Sequence, residues 1–217
     1  MNLKTGDILL FDERPTMCCM AALDCLIKGC TRSKYSHCAL VVVNPAFAPQ
    51  CRGTFVWESS WHGTKDPQDN KVKFGVQLTP IELYIDNYPG SVTVYRRRPI
   101  LTKTRQMFSD EALKAIHEKV YLHGYDTRAK DWCSALFKKR IQRQTDVFTC
   151  SAFVSFVLTE LGILDAETPW TILSAAELSS GAKTSLVEWR FLYGDDQRLE
   201  PNPLNKTLIT NDVAFNV

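Results

Sequence analysis

The order of its apolar runs constrains this chain more than any other feature: strand-like segments fill the first half and helical ones the second. Ile8-Leu9-Leu10-Phe11, opened by Gly6-Asp7, reads as a buried strand. Residues 37–43, closed by Asn44-Pro45, and residues 54–60 read as two more, rich in β-branched and aromatic side chains. Residues 72–78 and 91–97 are further strand candidates, and the polar stretch 62–71 reads as a surface loop. A helix over 17–28, capped by Gly29, is predicted to interrupt this series.

Helices then take over. Ser109 is a good N-cap, with Asp110 and Glu111 in the first turn, Leu113, Ile116 and Val120 as the inward stripe, and Gly124 as the closing residue. Residues 150–161 form a second helix ended by Gly162, and 171–180 a short third. Sequence-adjacent strands followed by helices predict an α+β fold, with an antiparallel sheet or small barrel packed against helices. The 217 residues suit one domain over 1–193 and an extended polar tail over 194–217.

Composition narrows the function. Hydrophobic residues make up 45% and charged residues 23%, with a net charge of +2, so global electrostatics do not favour nucleic acid. Arg96-Arg97-Arg98 is the one basic cluster, and such runs are usually solvated edges. No secretory signal is evident and no stretch approaches the roughly 18 apolar residues of a membrane span, so a reducing, cytoplasmic setting is expected. The eight cysteines then read as thiols, and all except Cys150 as small buried side chains. No C-x-x-C pair is present, and a metal site built on His37, Cys38 and His62 lacks the compact ligand spacing of zinc sites. No cofactor or metal is expected.

Cys150 carries the chemistry. As the first residue of an apolar helix, its sulfur would sit beside unpaired N–H groups, which favour a thiolate and can receive an oxyanion. A thiolate enzyme also needs a histidine, and a group to orient it. His37 opens one strand, and on the next Glu58 is a carboxylate within an otherwise apolar segment that needs a partner. His62, in a polar loop, and His117 and His123, on or beside the helix from 109, are expected to lie away from Cys150.

Five pieces in order resemble the circularly permuted branch of the NlpC/P60 papain-like enzymes, which includes YiiX-type proteins, poxvirus relatives and, more distantly, lecithin:retinol acyltransferases. They are Gly6-Asp7-Ile8-Leu9, Tyr35-Ser36-His37 with its apolar run, Val56-Trp57-Glu58, Gly124-Tyr125-Asp126, and Thr149-Cys150-Ser151-Ala152-Phe153-Val154 with Gly162-Ile163. The resemblance spans about residues 5–175. It implies a permuted papain-like fold, with Cys150 as nucleophile, His37 as base and Glu58 as its orienter, and Tyr35 and Ser151 at the substrate. It further implies a cysteine hydrolase cleaving an amide, isopeptide or ester bond of a peptide or acyl-lipid substrate. The alternatives are acyl transfer to an acceptor other than water, and a binding module that retains the pocket. Thr149 and Ala152 depart from the family's frequent aromatic and acidic residues, and the basic insert 127–148 has no counterpart.

Overall fold

The computed structural model describes residues 2–13, 34–86, 92–126, 146–182, 187–191 and 193–199. The segment 17–28 and most of the insert 127–148 lie outside them.

The fold is α+β, built on a curled, almost wholly antiparallel sheet. Its strands are β1 (Ile8–Glu13), β2 (His37–Val43), β3 (Thr54–Ser60), β6 (Gly75–Pro80), β7 (Val92–Arg97), β8 (Gly124–Tyr125), β9 (Val147–Phe148) and β10 (Gln197–Arg198). They lie in the order β10-β7-β1-β2-β3-β6-β8-β9, and a separate hairpin pairs β4 (Lys65–Asp66) with β5 (Lys71–Val72). Among the described strands, only β8 and β9 run parallel. The described helices are α1 (Glu82–Asp86), α2 (Thr102–Gln106), α3 (Asp110–Val120) and α4 (Cys150–Glu160), with one 3₁₀ turn at Trp170–Ile172. None is long and apolar enough to cross a membrane.

The unbroken hydrophobicity of β1 and β2 follows from burial on both faces. Ile8, Leu10, Cys38, Leu40, Phe55 and Trp57 face one core cluster, while Leu9, Phe11, Ala39, Val41 and Val56 face another, because alternate side chains point to opposite sides. Helix α4 belongs to the first cluster and is buried from Cys150 to Leu158, so it is apolar all round and sits centrally against β2 and β3.

Several expected boundaries shift. Ser109 caps α3 by accepting from the Ala112 N–H at 3.2 Å, but the helix ends at Val120, and Leu122 rather than Gly124 takes the left-handed turn (φ 66°). Gly124 is in β8 instead, opposite Gly75. Gly75 must be glycine because the backbones nearly touch: a Cβ on it would lie 2.2 Å from the His123 carbonyl oxygen, and its φ of 147° is one that side-chain-bearing residues avoid. The strand expected at 72–78 begins at Gly75, because Asp66 draws the preceding residues into the β4–β5 hairpin. Its carboxylate accepts from Lys73 Nζ at 2.7 Å and from the N–H groups of Gln68 and Leu78. The helix expected over 171–180 shrinks to the 3₁₀ turn and a following turn in which Glu177 accepts from the Ser174 N–H at 2.7 Å. Part of the tail joins the sheet as β10.

Within the arginine run, Arg96 and Arg98 are partly exposed but Arg97 is not solvated. Arg97 is buried against Trp189, its guanidinium carbon 4.8 Å from the ring centroid, and donates to the Leu178 and Gly194 carbonyls at 2.5 and 2.8 Å. It thereby ties the C-terminal segment to β7.

Gly75→Ala is predicted to destabilise the protein by on the order of 3 kcal/mol, since backbone rather than a movable side chain occupies the space. Urea unfolding of the variant beside wild type measures it.

Candidate active site

The site forms where two strands part. Strand β2 begins at His37 and β3 runs to Ser60, yet they pair only over the stretch from Val43↔Thr54 to Leu40↔Trp57. His37 and Cys38 therefore lie past the end of that ladder, while β3 stays paired with β6 as far as Ser60↔Gly75. The nucleophile segment is brought to this opening by two hydrogen bonds to the Phe148 carbonyl, from Ser59 Oγ at 2.7 Å and from the Asp126 N–H at 3.1 Å. Thr149 then caps α4, its hydroxyl accepting from the Ala152 N–H at 3.3 Å. Cys150 is the first helical residue, and its N–H and that of Ser151 have no intrahelical acceptor.

Cys150 and His37 are neighbours, each among the main influences on the other's charge. Cys38, the residue at the strand opening, is the first influence on the charge of the Cys150 sulfur. His37 Nε2 lies 2.6 Å from Glu58 Oε2, which leaves Nδ1 for the sulfur. Glu58 is fully buried, and two further groups share its charge: the Tyr84 hydroxyl donates to Oε2 at 2.6 Å, and His62 Nε2 lies 3.1 Å from Oε1 and 2.7 Å from the Tyr84 oxygen. Phe11 packs beside the His37 and Tyr84 rings, at centroid distances of 5.2 and 4.5 Å.

These contacts set the charge states. The Cys38 hydrogen bond, and after it the charge and hydrogen bond of His37, hold the Cys150 thiol well below its ordinary pKa despite burial. Burial works against a charged His37, but the Cys150 charge and hydrogen bonds to Cys150 and Glu58 outweigh it and raise the imidazole well above its ordinary value. Glu58 is driven far below the carboxylate range by its hydrogen bonds to His37 and His62, which overcome desolvation. Cys38 moves the other way, its thiol held protonated by burial and by the neighbouring Cys150 sulfur. The resting arrangement is thus a thiolate–imidazolium pair seated on a carboxylate.

The structure therefore brings together Cys150, His37 and Glu58. Ser151 follows in the helix, but its hydroxyl donates to the Leu173 carbonyl at 2.6 Å. Tyr35 is buried, with its hydroxyl donating to Asp196 at 2.7 Å. Sequence reasoning set His62 apart in a polar loop; it instead shares Glu58, because Ser60 ends β3 and the next turn returns the ring to the carboxylate. His117 is engaged elsewhere, with Gln68 Oε1 at 2.8 Å and stacked on Phe47. Tyr84 was missed altogether. Its only signal is a polar-tipped aromatic in the short segment after a strand, which nothing local connects to Glu58. Among the described residues no set of three or more His, Cys, Asp and Glu side chains could hold a metal ion.

No known family model matches the chain, and no curated protein does.

Alkylation of Cys150 by iodoacetamide is predicted to remain fast as pH falls well below the roughly 8.5 at which an ordinary cysteine becomes half thiolate. The folded-state shift is downward, so thiolate survives acidification until the lowered pKa is reached. Peptide mapping across pH 4–9 measures it; a rate that climbs only near pH 8–9 contradicts the assigned charge states.

Proposed function

We propose that this chain is a cysteine hydrolase with a permuted papain-like fold, in which Cys150, His37 and Glu58 act on an amide, isopeptide or ester carbonyl. One observation carries the reading: the sulfur at a helix N-terminus neighbours an imidazole whose Nε2 is 2.6 Å from a fully buried carboxylate. Three residues from two strands and a helix converge in the order nucleophile, base, orienter, which is the arrangement thiol catalysis requires.

The reaction follows from the charges. The Cys150 thiolate attacks the carbonyl carbon, and the carbonyl electron pair moves to oxygen. The Cys150 and Ser151 N–H groups, free of intrahelical acceptors, are the donors available to that oxyanion. As the intermediate collapses, His37 gives the Nδ1 proton to the departing amine or alcohol, leaving an acyl-cysteine and neutral imidazole. Water then attacks the thioester while Nδ1 takes its proton, and collapse expels the thiolate and releases the acid. Glu58 keeps Nε2 protonated and the ring in plane throughout. Its bonds to Tyr84 and His62 fix the carboxylate itself. Transfer of the acyl group to an acceptor other than water shares the first half-reaction.

Incubation with a p-nitrophenyl acyl ester is predicted to load one acyl group per chain, on Cys150, as a thioester cleaved by hydroxylamine. Acylation spread over lysines, or found at Cys51, contradicts the reading. Cys150→Ala removes the adduct and turnover completely. Glu58→Gln retains the ring's position in part, so its loss falls short of that by about tenfold or more. Steady-state kinetics of both variants test the roles, and equal losses contradict them.

A further inference from the structure

Three arginines crowd one carboxylate just before β1, whereas His37 pairs with Phe11 further along that strand. Asp7 is fully buried there, 3.4 Å from Arg105 Nη2 and 3.9 Å from Arg98 Nη2. Arg96 and Arg98 share one side of the extended chain, because Arg97 between them turns the other way onto Trp189. Arg96 bonds to neutral groups, Gln197 Oε1 at 2.8 Å and the Asn2 carbonyl at 3.3 Å, and Arg98 reaches the same carbonyl at 3.3 Å. Lys4 and Lys103 are exposed, and the Lys4 N–H donates to Asp7 at 3.1 Å. One carboxylate cannot balance three guanidiniums, so the surplus positive charge is left for an anion from outside.

A second feature is independent of the charge. Ile100 and Leu101, 59% and 49% exposed, form the turn between β7 and α2. The Arg105 N–H donates to the Leu101 carbonyl at 3.4 Å, so the apolar pair lies one helical turn from the arginine on Asp7. Two neighbouring aliphatic side chains gain from entering hydrocarbon and gain nothing from a dissolved phosphate. Single-stranded nucleic acid is met by exposed aromatic rings on which bases stack, and this pair is aliphatic.

We propose that this end of the sheet is a docking surface for an anionic phospholipid bilayer. Arg96, Arg98 and Arg105 meet the headgroup phosphates, while Ile100 and Leu101 enter the boundary between headgroups and acyl chains. Such a contact is peripheral and needs no spanning helix; charge and apolar insertion act together because either alone binds weakly. Each arginine held near an anionic surface raises partitioning roughly fivefold. The attraction fades with salt, as the screening length falls from about 10 Å at 0.1 M to about 3 Å at 1 M. None of these residues belongs to the Cys150–His37–Glu58 site, so the proposal stands or falls separately from the hydrolase reading.

The test sediments the full chain with phosphatidylcholine vesicles prepared with and without phosphatidylserine. Wild type is expected to bind the vesicles containing phosphatidylserine at about 0.1 M salt and to leave them at about 1 M. Pure phosphatidylcholine is expected to retain little. Arg96→Gln with Arg98→Gln is expected to lower partitioning roughly 25-fold. Ile100→Ser with Leu101→Ser is expected to lower it as well while keeping the salt dependence of wild type. Urea unfolding establishes that each variant is folded; the second alters only exposed positions and carries the test if the first does not fold. Inorganic phosphate added at constant ionic strength is expected to displace nothing. No binding to the anionic vesicles, equal binding to phosphatidylcholine alone, or undiminished binding by the folded variants overturns the proposal. So does displacement by inorganic phosphate, which marks a site for the dissolved ion, or an equally tight, equally salt-dependent hold on a single-stranded oligonucleotide.

Discussion

Glu58 is a carboxylate with no exposed surface at the centre of a sheet, and removing such a group from water costs several kcal/mol even after relaxation. Its hydrogen bonds to His37, His62 and Tyr84 answer that cost, since bonds to charged groups contribute about 1.5–3 kcal/mol each. Each partner comes from a different place: the start of β2, the turn after β3, and α1. The carboxylate therefore dictates how these elements meet. It also hands a full negative charge to one face of the His37 ring, so the imidazole can hold a proton while buried.

The thiolate follows from that proton. Negative Glu58, positive His37 and negative Cys150 alternate in sign across the opening between β2 and β3, and each charge stabilises its neighbour in surroundings where water screens them little. The pinning of the Phe148 carbonyl by Ser59 and Asp126 supplies the mechanical part, by delivering the start of α4 to the same opening. Gly75 allows β8 to lie close enough for that delivery. Catalytic geometry and sheet geometry are consequently one problem: the ladder must end at Leu40↔Trp57 for sulfur and imidazole to meet.

Much of this was legible in the sequence for definite reasons. Strands β2 and β3 match their expected limits, because their apolar runs are bounded by Asn44-Pro45 and by loop residues. Cys150 stood out as the start of an all-apolar helix, and Glu58 as an ionisable residue inside an apolar strand. What could not be read depends on long-range approach. Nothing local distinguishes Tyr84 from other tyrosines or shows that the turn after Ser60 folds His62 back onto Glu58. Cys38 read as core because its side chain is indeed buried; only the gap in the ladder makes its thiol a neighbour of the nucleophile. Gly124 was read as a helix terminator from its position, whereas it lies in β8 opposite Gly75, and it is Gly75 that the close strand approach requires to be glycine.

The central claim is that the Cys150 sulfur, together with buried Glu58, keeps His37 protonated, and that Cys150 is correspondingly ionised in the resting protein. Nitrogen-15 chemical shifts of the His37 ring, assigned by loss of the signal in a His37 variant, report that proton directly. At neutral pH both ring nitrogens of wild type should show the near-equal shifts of an imidazolium, and Cys150→Ala should restore the widely split shifts of a neutral ring, because the sulfur's charge is the largest influence holding the proton there. A neutral tautomer in the wild-type protein, or an imidazolium indifferent to loss of Cys150, would contradict the account.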